Sequence, residues 1–214
     1  MRKILVPLGL SALIVMLAAA CSSDGAGKGA SSQERLLARR ASQKLISDYQ
    51  RAVKSELTSA LNTGGPARAI EVCQKRAPEI GRMTTGSPLV TIRRVSERNR
   101  NPENAADNEQ LAVLARFAGD EAPMYYDEWV TVDSIEHYRY YEPIVAQAMC
   151  LKCHGQYDQI DDATAATLNS LYPNDMAVDY QIGDLRGMFV VDMEWPGARD
   201  YINKMNSSEK TASE

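Results

Sequence analysis

The chain has 214 residues, 44% hydrophobic and 24% charged, with 24 basic against 28 acidic side chains. That composition excludes a disordered or collagen-like chain. A net charge of -4 argues against nucleic acid as a partner, since phosphate binding needs a basic surface.

The chain opens in the manner of an exported protein. Arg2 and Lys3 precede an almost wholly apolar run from Ile4 to Leu17, and Ala18-Ala19-Ala20 lead to Cys21. The run is short for a spanning helix and has the form of a signal peptide over 1–20. Small residues followed at once by Cys resemble a bacterial lipoprotein junction. Cys21 is therefore the expected lipidation site, holding an otherwise aqueous domain at a membrane of the periplasm. By the same resemblance, Ser22 leans toward the outer membrane. Residues 21–32 are rich in Gly, Ser and Ala and read as a flexible tether.

The folded domain is expected over 33–206. Gln33 to Asn62 holds no Pro or Gly, and Leu37, Leu45, Tyr49, Val53, Leu57 and Leu61 recur about every four residues. This is a long amphipathic helix. Gly64-Gly65-Pro66 breaks it and opens a second helix with Ile70, Cys73, Ala77 and Ile80 on one face. Pro78 should kink or stop that helix. Leu89 to Val95 reads as a strand carrying Arg93 and Arg94. Asn99 to Asn104 is a polar loop with strong turn chemistry. Asp107 can cap a helix to Phe117, closed by Gly119. Tyr125 to Val132 and Ile135 to Val145 read as paired strands rich in Tyr, Val and Ile. A short helix over Asp162 to Leu171, a strand over Leu185 to Met193 and a final helix near Ala198 to Met205 follow, then a disordered tail over 207–214. Helices flanking a few antiparallel strands define an α+β fold.

The chemistry concentrates in Cys150-Leu-Lys-Cys153-His154. Cys-x-x-Cys-His is the attachment motif of c-type haem. Residues three apart share a face of a helical turn, so Cys150 and Cys153 reach the two vinyl groups of one porphyrin. His154 then projects its imidazole to the iron. A single motif implies one covalent haem. A thioredoxin-like site should open a helix in a βαβ unit, and a zinc site needs a second ligand pair. Neither context is present in the sequence. The residues leave the sixth iron ligand open among Met83, Met176, Met188, Met193, His137 and Cys73. An unpaired thiol in an oxidising compartment should be buried or coordinated, which singles out Cys73 for attention.

Four segments resemble one family, the PAS-like c-type haem-binding proteins typified by a cyanobacterial soluble haem protein. They are Ala69 to Pro78 around Glu-Val-Cys73, Arg93-Arg94 through Arg100-Asn101-Pro102-Glu-Asn104, the Cys150 to Gly155 motif, and Leu171-Tyr172-Pro173-Asn-Asp175-Met-Ala177 continuing to Arg186-Gly187. The likeness spans roughly Leu36 to Met193. It departs at Asp179, where the family usually has Gly, and at Phe189, where a small residue is usual. The resemblance implies a PAS-like antiparallel sheet flanked by helices, and His154 opposite Cys73 as the iron ligands. Arg93, Arg94 and Arg186 are candidate partners of the haem propionates. Tyr138 and Tyr140 read as core, and His137 carries no assignment.

These readings converge on a redox or small-ligand sensor, with CO or NO as the ligand and a thiolate that iron can release. Any signal would pass to a separate protein. The alternative is a single-haem electron-transfer cytochrome working with a redox partner. An enzyme is not expected, because His137 is the one spare imidazole for acid–base work.

Overall fold

The computed structural model describes residues 31–212, without the side chains of residue 72 and residues 208–212. The signal peptide, Cys21 and nearly all of the tether lie outside the described residues.

Helix α1, Ser32–Thr85, begins in a capping box: the Ser31 hydroxyl accepts the Glu34 N–H and the Glu34 carboxylate accepts the Ser31 N–H. It is not a single rod. Gly65 has φ 68° and ψ −168°, a conformation that costs glycine little and other residues much. Beyond it, Pro66 restarts the helix in the opposite direction. The two limbs form an antiparallel hairpin: Arg76 Nη2 reaches Glu56 Oε1 at 3.0 Å, and a Cβ at Gly81 would stand 3.7 Å from the Tyr49 ring. The stop expected at Pro78 does not occur. The second limb runs on to Thr85 and ends at a left-handed Gly86. Ala77 and Ile80 on either side of Pro78 are buried, and their packing offsets the lost hydrogen bond.

Four strands follow: β1 Val90–Val95, β2 Tyr126–Val132, β3 Ile135–Val145 and β4 Leu185–Trp195. They form one antiparallel sheet in the order β1-β4-β3-β2. Three further helices punctuate the second half: α3 Leu151–His154, α4 Asp162–Leu171 and α5 Arg199–Ala212, while α2 Asn108–Phe117 lies between β1 and β2. Helix α2 is capped by Asp107 as expected but closes at Ala118, one residue before Gly119. Helix α5 continues through 207–212, where the composition suggests a disordered tail. No helix among the described residues is long and apolar enough to cross a membrane.

Strand alternation splits the core. Tyr138, Tyr140, Phe189, Val191 and Met193 face the α1 hairpin and α5. Tyr141, Met188, Val190 and Val95 face α2. The first face also holds a buried charge cluster. Asp127, its side chain only 4% exposed, accepts from Arg35 at 2.7 Å, Arg39 at 2.8 Å and the Tyr138 hydroxyl at 2.9 Å. This ties the first turns of α1 to the edge strand β2.

Glu142 lies on the same face and accepts a 3.4 Å hydrogen bond from Tyr140. Burial raises its carboxyl pKa, the Tyr140 hydroxyl partly opposing. The folded chain therefore holds this proton to a higher pH than the unfolded chain. The resulting stabilisation is complete below the ordinary Glu range of about 4.3 and is lost as pH rises through the raised value. Glu142→Gln is expected to stabilise the fold at pH 7 and to remove part of the decline in unfolding free energy above that range. Urea titrations at several pH values test this. An unchanged pH profile in the variant would refute it.

Candidate functional site

The Cys-x-x-Cys-His segment sits between β3 and α4. A single 3-10 turn, Ala148–Cys150, runs directly into α3, so Cys150 and Cys153 stand three residues apart on one continuous turn. Gly155 ends it. A Cβ there would lie 2.6 Å from the Leu151 carbonyl, so no side chain fits. Cys150, Cys153 and His154 line a cavity of about 840 Å³ whose opposite wall is the α1 hairpin, including Cys73. This volume suits a mid-sized organic cofactor. The cavity brings Cys73 opposite Cys150, 77 positions on in the chain.

The His154 ring is held from behind. Its Nδ1 lies 2.6 Å from the Ala177 carbonyl oxygen, which can only accept, so Nδ1 carries the proton. Nε2 is left with a lone pair, and Arg186 Nη2 donates to it at 2.8 Å. Burial, then the Arg186 and Arg100 charges, hold the imidazole pKa well below its ordinary value. The ring is therefore neutral, as a metal ligand requires. Tyr180 meets it edge-on with centroids 6.4 Å apart, and Arg98 stacks over Tyr180. Burial pushes the Cys73 thiol pKa up, with Arg94 opposing. The Cys153 thiol is raised by burial too, with Arg100 opposing.

Arg186 is half-buried in the cavity wall, and desolvation followed by the Arg94 and Arg100 charges lowers its pKa to about 10. Among the described residues no carboxylate pairs with it. A desolvated cation in that state is costly, and an anionic ligand in the cavity would relieve it. The β1 register separates the two other arginines. Arg94 shares its face with Ile92 toward the hairpin, whereas exposed Arg93 pairs with Val190 of the α2 face; both are among the residues that line the cavity.

The remaining candidates lie elsewhere. Met188 and Met193 are buried in the two cores, and Met83 and Met176 are exposed. Met149, which the sequence did not single out, lines the cavity beside Cys150. His137 is on the α2 face of the sheet, where its Nδ1 donates to Asp192 at 2.6 Å. Tyr138 and Tyr140 are fully buried core. Asp179 adopts the left-handed conformation at φ 60° that glycine would take most easily. Its carboxylate accepts the Tyr157 N–H at 2.9 Å. Phe189 lines the cavity and packs edge-on against Tyr49. Among the described residues no three His, Cys, Asp or Glu side chains group to hold a bare metal ion.

Fold and cavity together define a class: a PAS-like α+β domain in which a helical hairpin closes a cavity over a Cys-x-x-Cys-His turn. The Tll0287-like family model matches residues 28–193, and the chain belongs to that family. Among solved structures it is similar to the crystal structure of the cyanobacterial heme-protein Tll0287, at 24% identity and a TM-score of 0.56, covering 78% of this chain and 98% of that one. No curated protein matches the chain.

Proposed function

We propose that the chain is a c-type haem protein of the periplasm, lipid-anchored through Cys21, that senses redox state or a small ligand such as CO or NO. The observation that carries this reading is one cavity lined by Cys150, Cys153 and His154 on one side and by Cys73 on the other. Family membership supports it, because the structurally similar Tll0287 is described as a heme-protein. Haem, when bound, would supply a redox-active iron.

The chain's own residues define the rest. The Cys150 and Cys153 thiols would hold the haem by adding across its two vinyl groups, the thiol hydrogen passing to the second vinyl carbon as each thioether forms. His154 would offer Nε2 once the Arg186 guanidinium turns from it toward the cavity, while Ala177 keeps the proton on Nδ1. Arg94 and Arg186 offer guanidinium groups to the two propionates. Cys73, on a helical limb rather than on the covalent turn, is the ligand free to leave. Its release would move the hairpin and couple the iron's state to the protein's shape. A separate protein would read that change.

Covalent attachment is tested on the full chain matured in a host with c-type assembly. Haem should stay with the polypeptide through denaturing electrophoresis and acid–acetone extraction, and Cys150→Ser/Cys153→Ser should lose it. Extraction of the haem from the unaltered chain would rule out the c-type reading.

A further inference from the structure

Of two segments that resemble the family, Arg100-Asn101-Pro102-Glu-Asn104 has no role in the function proposed above, and Tyr172 to Ala177 enters it only through the Ala177 carbonyl. The fold brings both onto the back of the Cys-x-x-Cys-His turn, and one side chain joins all three. Arg100 Nη2 donates to the Cys153 carbonyl at 2.6 Å and to the Ala177 carbonyl at 3.3 Å. Its Nε donates to Asp175 Oδ2 at 2.8 Å, in an ion pair whose side chains are only 11% and 10% exposed. The other oxygen of Asp175 accepts the Ala177 N–H at 2.8 Å. The Ala177 peptide is thus gripped at both ends, and its carbonyl is the acceptor for His154 Nδ1–H. Backbone bonds from Asp179 to Gly155 and from Tyr180 to His154 keep the two segments alongside each other.

We propose that Arg100 is a positioning residue for His154, acting through the carbonyl of Ala177 to set the ring's orientation and the strength of its Nδ1–H bond. This rests on His154 being the iron ligand of the proposed haem. A carbonyl shared with a guanidinium is a weaker acceptor, because the cation draws its electron density. The imidazole then keeps its Nδ1 proton more fully and gives less charge to a metal at Nε2. The cation also favours the reduced, less positive iron. Both effects act in one direction, so loss of the Arg100 charge lowers the reduction potential, and loss of the Asp175 charge raises it.

The test uses the haem-loaded full chain. The readouts are the midpoint potential and the NMR shift and solvent exchange of the His154 Nδ1 proton. Arg100→Gln should lower the potential and move the proton signal downfield. Asp175→Asn should raise the potential. Arg100→Lys keeps the charge but lacks the two-pronged reach, so it should leave the potential near the native value and speed Nδ1–H exchange. A purely structural staple would reduce thermal stability in these variants with potential and proton signal unmoved, and that result overturns the proposal. If Arg100→Gln does not accumulate, Arg100→Lys and Asp175→Asn decide it by the same criteria. Failure of the underlying reading looks different: His154→Ala would then leave the spectrum of the native chain unchanged.

Discussion

Replacing Cys73 with Ala is expected to abolish the thiolate-type ferric absorption and EPR of the haem-loaded chain. Replacing it with Met is expected to raise the midpoint potential by a sizeable part of the roughly 0.8 V that axial ligands span. A thiolate is a strong charged donor that stabilises ferric iron, whereas thioether sulfur is neutral and favours the reduced state. The structural cost of the Ala variant is small. Cys73 is half-buried on a limb pinned by Arg76 to Glu56 and Glu79, so truncating one sulfur removes little packing, about 1 kcal/mol. A spectral change therefore reports ligation and not unfolding. Identical ferric absorption and EPR in Cys73→Ala would take Cys73 off the iron. A native midpoint well above 0 V would speak for an electron carrier in place of a sensor.

The second large effect is on stability. Asp127→Ala is expected to destabilise the fold by about 3–5 kcal/mol, the range for breaking a buried ion pair on one side. The variant strands Arg35, Arg39 and the Tyr138 hydroxyl around a missing acceptor. Asp127→Asn keeps an acceptor for Tyr138 but not the charge, and should lose less. At roughly 2–4 °C per kcal/mol for a domain of this size, Asp127→Ala should lower the melting temperature by about 10 °C. A shift under a few degrees in thermal or urea unfolding would show that the cluster is dispensable. Because Arg35 and Arg39 are the first charged handles of α1 on the sheet, the loss should begin as detachment of the first limb, visible as early amide exchange there.

Local chemistry made much of this fold readable. Gly64-Gly65-Pro66 announced the reversal between the helical limbs, Asp107 announced α2, and the β2–β3 pair followed from its Tyr, Val and Ile content. The Cys-x-x-Cys-His spacing located one wall of the cavity. Pro78 misled, because propensity describes an isolated helix and the packing of Ala77 and Ile80 overrides it. Arg93 and Arg94 were both marked as candidates for one ligand and both line the cavity, although neighbours on a strand point to opposite faces. The period of two was available to separate them. Arg100 was readable only as part of a family-like segment, with no contact assigned, and Asp127 was not readable at all. Their charged partners lie 75 to 92 residues away, and nothing in a polar loop or an edge strand says which distant group will arrive.

The sheet order carries a consequence for how the chain is made. The strand between β1 and β3 is β4, so the centre of the sheet is supplied last. A nascent or exported chain cannot close its core until residues near 195 have emerged, and N-terminal segments must wait for it. During that interval the Cys150–Cys153 turn is already present while the hairpin has only the β2–β3 pair to dock on. If the cysteines carry haem as proposed, an assembly enzyme would meet them on an open chain, and the cavity would close afterwards around the group.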